Sequence, residues 1–194
     1  MSSSPGRREL THERIVDAAA RTLRRAGVAG VGVADVMKQA GLTHGGFYAH
    51  FESRDALIAE AMDRAGRESG QRIRARVDAC LARGESGLRA VIDAYLSEAH
   101  LKGTETGCVV AALSSEMPRL SPALAAPAAE RVRKLVALVQ HAHPRGAKDE
   151  AMVIASTLVG TLQLARALGE NAQGKALLAA SRKALLAQYV GEAG

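Results

Sequence analysis

Residues 41–51, GLTHGGFYAHF, place three of the chain's five aromatic side chains, Phe47, Tyr48 and Phe51, within five positions, directly after two glycines. Threonine and tyrosine hydroxyls and histidine ring nitrogens can hydrogen-bond phosphate oxygens and base edges, and a glycine lets a backbone come close to a duplex. Cys108 follows Gly107 at the start of a helical pattern, where the positive end of a helix can raise a thiol's reactivity. A small buried hydrophobe is the other reading of that cysteine. His141 and His143 form an HxH pair before Pro144. To hold a metal it would need Asp149 or Glu150 to fold back as further ligands; otherwise these are solvated helix-end histidines. The two cysteines, Cys80 and Cys108, show no CxxC and no dense Cys/His spacing, which excludes a disulfide scaffold or a zinc module. GxSxG, GxGxxG, phosphate-loop and HExxH patterns are all missing, so no enzyme class is indicated and no cofactor or metal is called for.

The elements that must carry these residues are helical. Ile15, Val16, Ala19, Leu23 and Ala26 recur at helical spacing over 10–26, with Gly27 as a stop. A short helix fits Val33–Ala40, Gly41 supplies a turn, and Thr43 is placed to cap a second short helix over His44–His50. Two short helices around a glycine turn describe a helix-turn-helix, or else a plain pair of core helices. Ser53 is an N-cap for a long helix whose middle Gly66 and Gly70 weaken. Further helices fit about 86–101, 108–116, 121–142, 148–169 and 173–190, with separators at 102–107, 117–118, 144–146 and 169–171. Pro127 should bend the helix over 121–142 that it interrupts, or delay its start. No strand pair emerges. The expectation is an all-α protein of about nine helices, with a mobile basic tail over 1–9, a helix-turn-helix domain over 10–52 and a helical domain over 53–194.

Composition agrees. Hydrophobic residues make up 47% of the 194, enough for a core, and the formal charge is +6. Residues 1–54 hold eight Lys/Arg against five Asp/Glu, so the shorter segment is the more basic per residue, which suits nucleic acid. MSSSPGRREL has no apolar run of the signal-peptide kind, and the apolar stretch 151–168 is interrupted by Ser156, Thr157, Gly160, Thr161, Gln163 and Arg166, so no membrane span is expected. A reducing, cytoplasmic setting is the default. That stretch is apolar nearly all round, which fits either internal burial or a homodimer interface. In the second case the helices at about 148–169 and 173–190 form a four-helix bundle with their symmetry mates.

The order of features in THERIVDAAARTLRRAGVAGVGVADVMKQAGLTHGGFYAHFESRDALI, residues 11–58, resembles the TetR-like transcriptional regulators: a first helix ending in a glycine turn, a helix-turn-helix, an aromatic pair followed by His and Phe, and a charged helix start. GCVVAALSSEMPRLSP, 107–122, is similar to one subgroup of that family. The resemblance implies an N-terminal DNA-binding domain and a larger effector-binding and dimerisation domain. It implies a homodimer that binds a palindromic double-stranded operator, by default as a repressor, and leaves it when a small molecule binds. Thr43, His44 and Gly45 then face the duplex, while Tyr48, His50 and Arg54 hold phosphate and Phe47 and Phe51 seal the small domain's core. Core packing with the hydroxyl at the rim is the alternative for Tyr48. The effector pocket is expected among the middle helices, with Tyr95, His100, Cys108 and Met117 as candidates, and a Cys108-based redox or electrophile sensor is the alternative mode. An adaptor without DNA would not explain the crowded segment 41–54. Two departures stand out: Gly32 where relatives often have Ser or Thr, and Leu23 where phenylalanine is frequent.

Overall fold

The computed structural model describes residues 6–143 and 146–191. Most of the expected tail, and residues 144 and 145 of the 144–146 separator, lie outside them. Within the described residues the chain is all helix and turn: α1 (Arg7–Ala26), α2 (Val33–Gln39), a 3-10 turn (His44–Ala49), α3 (Arg54–Ala82), α4 (Gly87–Tyr95), α5 (Glu98–Lys102), α6 (Val109–Leu113), a second 3-10 turn (Met117–Arg119), α7 (Pro122–Ala142), α8 (Lys148–Leu168) and α9 (Ala172–Tyr189).

The first helix begins at Arg7, inside the segment expected as a tail, because the Leu10 N–H already reaches Gly6 O at 3.1 Å. Its Ile15, Val16, Ala19 and Leu23 stripe is buried, and it stops where Gly27 takes φ 71°. A Schellman turn ends α2: the Leu42 N–H bonds Met37 O and the Gly41 N–H bonds Lys38 O, with Gly41 at φ 71°. Ser53 caps α3 through its side chain, accepting from the Ala56 N–H at 3.1 Å.

Two expectations needed correction, and one alternative for Pro127 falls away. The pattern 86–101 is two helices, because Ser97 takes extended φ/ψ and its hydroxyl oxygen accepts from the His100 N–H, starting α5. The pattern 108–116 is the short α6 followed by the second 3-10 turn. Pro127 lies inside α7, which already starts at Pro122, so it does not delay the start. Gly66 and Gly70 do not interrupt α3, which packs chiefly on α1 and α7 and is the element shared by both halves. One continuous apolar cluster runs from Ile15 in α1 to Leu185 in α9.

By length and composition α8 could cross a membrane. Its Ala151, Ile154, Leu158, Leu162 and Ala165 face is nevertheless buried in the core, and α9 is its main partner. The other face exposes Met152, Val153, Leu164 and Leu168.

Candidate nucleic-acid interface and effector cavity

The aromatic segment divides by burial. Phe47 and Phe51 are buried and stack with ring centroids 5.6 Å apart, while Phe51 stacks on His12 of α1 at 4.5 Å. These contacts fix the 3-10 turn on α1 and α2. Tyr48 meets the edge of Phe47 at 5.2 Å but is 75% exposed, which excludes core packing for it. Thr43, His44 and Gly45 are exposed beside it. A Cβ added at Gly45 would meet nothing within 4 Å, so no internal packing requires glycine there. Thr43 sits at the N-cap position, but its side chain makes no capping hydrogen bond and is left free.

His50 and Arg54 stand differently from the expectation. The His50 Nδ1 is buried without a partner among the described residues, leaving Nε2 as the ring atom for any phosphate. Burial, then the nearby His12 and Arg8, lower its pKa and favour the neutral ring. Arg54 is turned inward: its Nε donates to Val31 O at 2.8 Å and its terminal nitrogen to Val28 O. It clasps the α1–α2 loop, a use that its basic type in the helix's first turn does not reveal. Arg8 and Arg14 act similarly, donating to Ala49 O at the end of the 3-10 turn and to Ala40 O at the end of α2. Sequence reasoning missed these clasps, whose partners lie 23 to 41 positions away.

A cavity of about 360 Å³ opens between α3, α4, α6 and α7, a size typical of small-molecule sites. Tyr95 and Cys108 line it, as expected; His100 and Met117 do not. His100 lies behind the wall. Its Nε2 accepts from the Cys108 N–H at 3.0 Å, so Nδ1 carries the proton and donates to Tyr95 O at 2.8 Å. Burial pushes its pKa down to about 4 and keeps this neutral tautomer. Arg166 of α8 donates to His100 O at 2.8 Å and to Gly103 O at 3.3 Å, fixing the end of α5. The Tyr95 side chain is fully buried, its hydroxyl lies against the Cys108 thiol, and it has no hydrogen-bond partner among the described residues. Gly66 and Gly70 form part of the α3 wall, a role the propensity argument could not supply.

The cavity wall continues into the N-terminal half that carries the helix-turn-helix. Beyond α6, the Glu116 carboxylate accepts from the Val28 N–H at 3.0 Å, in the loop that Arg54 clasps. It occupies the space a Cβ on Gly27 would need, 2.1 Å from that point. Before α6, Glu105 pairs with Arg25 of α1 at 2.5 Å, and Thr106 O accepts from Arg72 of α3 at 2.7 Å. His141 pairs with Asp78 at 2.6 Å and His143 with Glu150 at 3.3 Å, each histidine with its own carboxylate.

Known proteins resemble this chain in sequence and in fold. A family profile described as bacterial regulatory proteins, tetR family, matches residues 15–61. The HTH-type transcriptional regulator Rv0196 of Mycobacterium tuberculosis is 31% identical over 169 residues, 79% of this chain and 83% of that protein. The HTH-type transcriptional repressor NemR of Escherichia coli K12 is 26% identical over 171 residues, 85% of this chain and 84% of its own. The crystal structure of the reduced form of E. coli NemR superposes with a TM-score of 0.75 at 20% identity, covering 91% of this chain and 96% of that one. A TetR-family regulator from Agrobacterium tumefaciens superposes at 0.73 and 22% identity over 93% and 97%.

Proposed function

The chain belongs to the TetR family of bacterial regulatory proteins, and from that membership we propose that it is a repressor that holds a palindromic operator as a homodimer and releases it when a small molecule enters the α3–α7 cavity. Membership makes it a transcriptional regulator. The sign of regulation, the contacting residues, the dimer face and the effector are our reading. In that reading Thr43, His44, Gly45 and Tyr48 meet the duplex and His50 offers Nε2 to a phosphate. Arg54 holds the loop that orients α2. The observation that carries it is Tyr48, a large aromatic left 75% exposed on a turn whose two phenylalanines are buried.

Fluorescence anisotropy with the DNA upstream of the chain's own gene tests it. Tyr48→Phe should weaken binding about tenfold, the value of a hydrogen bond to a charged group. Gly45→Ala should weaken it as well, because a methyl would intrude where the backbone approaches the duplex. Neither change should lower the melting temperature. Unchanged affinity in both variants would remove the recognition turn from the interface, and failure to bind any genomic fragment selectively would remove the repressor reading.

One observation favours a second mode. Cys108 is among the residues that line the cavity, and its thiol is the group an electrophile or oxidant would attack in that mode. Release under oxidant that is the same in Cys108→Ser as in the parent would exclude that mode.

A further inference from the structure

The chemistry of the cavity varies systematically from floor to mouth. At the floor the hydroxyl of the fully buried Tyr95 has only the Cys108 thiol beside it and no well-aligned hydrogen bond among the described residues, so a ligand atom there would complete it. The middle is aliphatic, with Ile73, Val109 and Leu135 facing the gap beside Gly70. At the mouth stand three exposed cations, Arg67, Arg74 and Lys134, and no Asp or Glu lines the space. Arg67 is paired with Asp63 at 2.9 Å, and Arg74 is only loosely matched to Asp78 at 3.9 Å. Lys134 has no carboxylate within ion-pair distance among the described residues. Apolar walls strengthen the field of such a rim, because little water intervenes to screen it.

We propose that the effector is an amphipathic anion with three parts: an acidic head at the Arg74 and Lys134 mouth, an apolar body against α6 and α7, and a hydrogen-bonding atom at the far end that engages the Tyr95 hydroxyl. This deepens the repressor reading, since it names the ligand class of the same cavity, but binding can be measured without DNA.

The full-length protein is titrated with 1-anilinonaphthalene-8-sulfonate and with N-phenyl-1-naphthylamine, which has the same aromatic body without the charge. The anion should bind one per chain and more tightly than the neutral compound. Lys134→Gln should weaken the anion about fivefold, the upper range for an exposed ion pair, and leave the neutral compound unchanged. Gly70→Leu, which places a side chain in space where an added Cβ meets nothing within 4 Å, should abolish binding of both while circular dichroism stays helical. Displacement of the bound dye by decanoate and by 10-hydroxydecanoate tests the floor. The hydroxylated acid should compete better, and Tyr95→Phe should erase its advantage.

Equal affinity for the charged and uncharged dyes, or no response to Lys134→Gln combined with Arg74→Gln, overturns the anion assignment. Equal competition by the two acids in the parent protein overturns the role of Tyr95. Full binding in a folded Gly70→Leu protein overturns the cavity as the site. Saturation by the anion with operator occupancy unchanged supports the site and instead overturns the effector reading of the previous section.

Discussion

Removing the Arg54 guanidinium would take the donor from the Val31 carbonyl and leave Val28 O with the Val31 N–H alone, at 3.2 Å, in the loop between α1 and α2. Arg54→Ala should cost about 1–3 kcal/mol in denaturant unfolding, and Arg54→Lys should recover only part of it, since an ammonium lacks the planar fork. His100 gives a pH signature. Its folded pKa of about 4 lies below the ordinary 6.5, so the unfolded chain binds the extra proton first. The stability it contributes is complete above pH 6.5 and is lost as pH falls from 6.5 through 4, by up to about 3 kcal/mol. Stability curves at pH 7 and 4.5 should differ by less in His100→Ala than in the parent. At this scale the sequence is partly legible. Tyr48 could be assigned to a partner because it stands among glycines with no core role. Arg54 could not be oriented, because its acceptors are backbone carbonyls far along the chain that no side-chain type announces.

At the scale of elements, the short α6 and the turn after it join the cavity to the loop between α1 and α2. Cys108 starts α6 on the cavity wall, and Glu116, at its far end, holds the Val28 N–H. A ligand that displaces α6 therefore pulls on the loop between α1 and α2. Glu116→Ala should leave ligand affinity near that of the parent and blunt ligand-driven operator release, read as the ratio of operator affinities with and without ligand. An unchanged ratio would place the coupling elsewhere. Helix positions were legible here because apolar spacing and caps such as Ser53 are local signals. The break at Ser97 was missed because a hydroxyl that caps competes with continuous helical spacing on either side, and propensity alone does not decide between them. The cavity was half legible: Tyr95 and Cys108 stood out by type, whereas Gly66 and Gly70 read as helix weakeners.

For the whole molecule, the exposed face of α8 carries the proposed dimer interface. Val153, Leu164 and Leu168 are 51%, 61% and 45% exposed on a helix whose opposite side is core. A second copy that covers this face would bury it in a bundle of α8 and α9 with their symmetry mates. Val153→Glu with Leu164→Lys should shift the protein to monomer in sedimentation velocity and abolish operator binding, while single-chain helicity persists. A dimer that survives both changes would place the interface on another face. The alternation of buried and exposed apolar residues on α8 explains why the sequence alone left internal burial and dimerisation both open: either would make the helix apolar all round.

The arginine clasps also bear on counterions. Of the eight Lys/Arg in residues 1–54, Arg24 and Arg25 are neutralised by Glu68 and Glu105, and Arg8, Arg14 and Arg54 are held on backbone carbonyls. Arg7, Arg21 and Lys38 remain without such ties among the described residues. If only these three per protomer displace condensed cations from a duplex, the log–log dependence of operator affinity on salt has a slope of about −5 for a dimer, where sixteen free charges would give about −14. A regulator built this way would keep its operator across a wide range of ionic strength. It would distinguish the operator from bulk chromosome mainly through hydrogen bonds and fit.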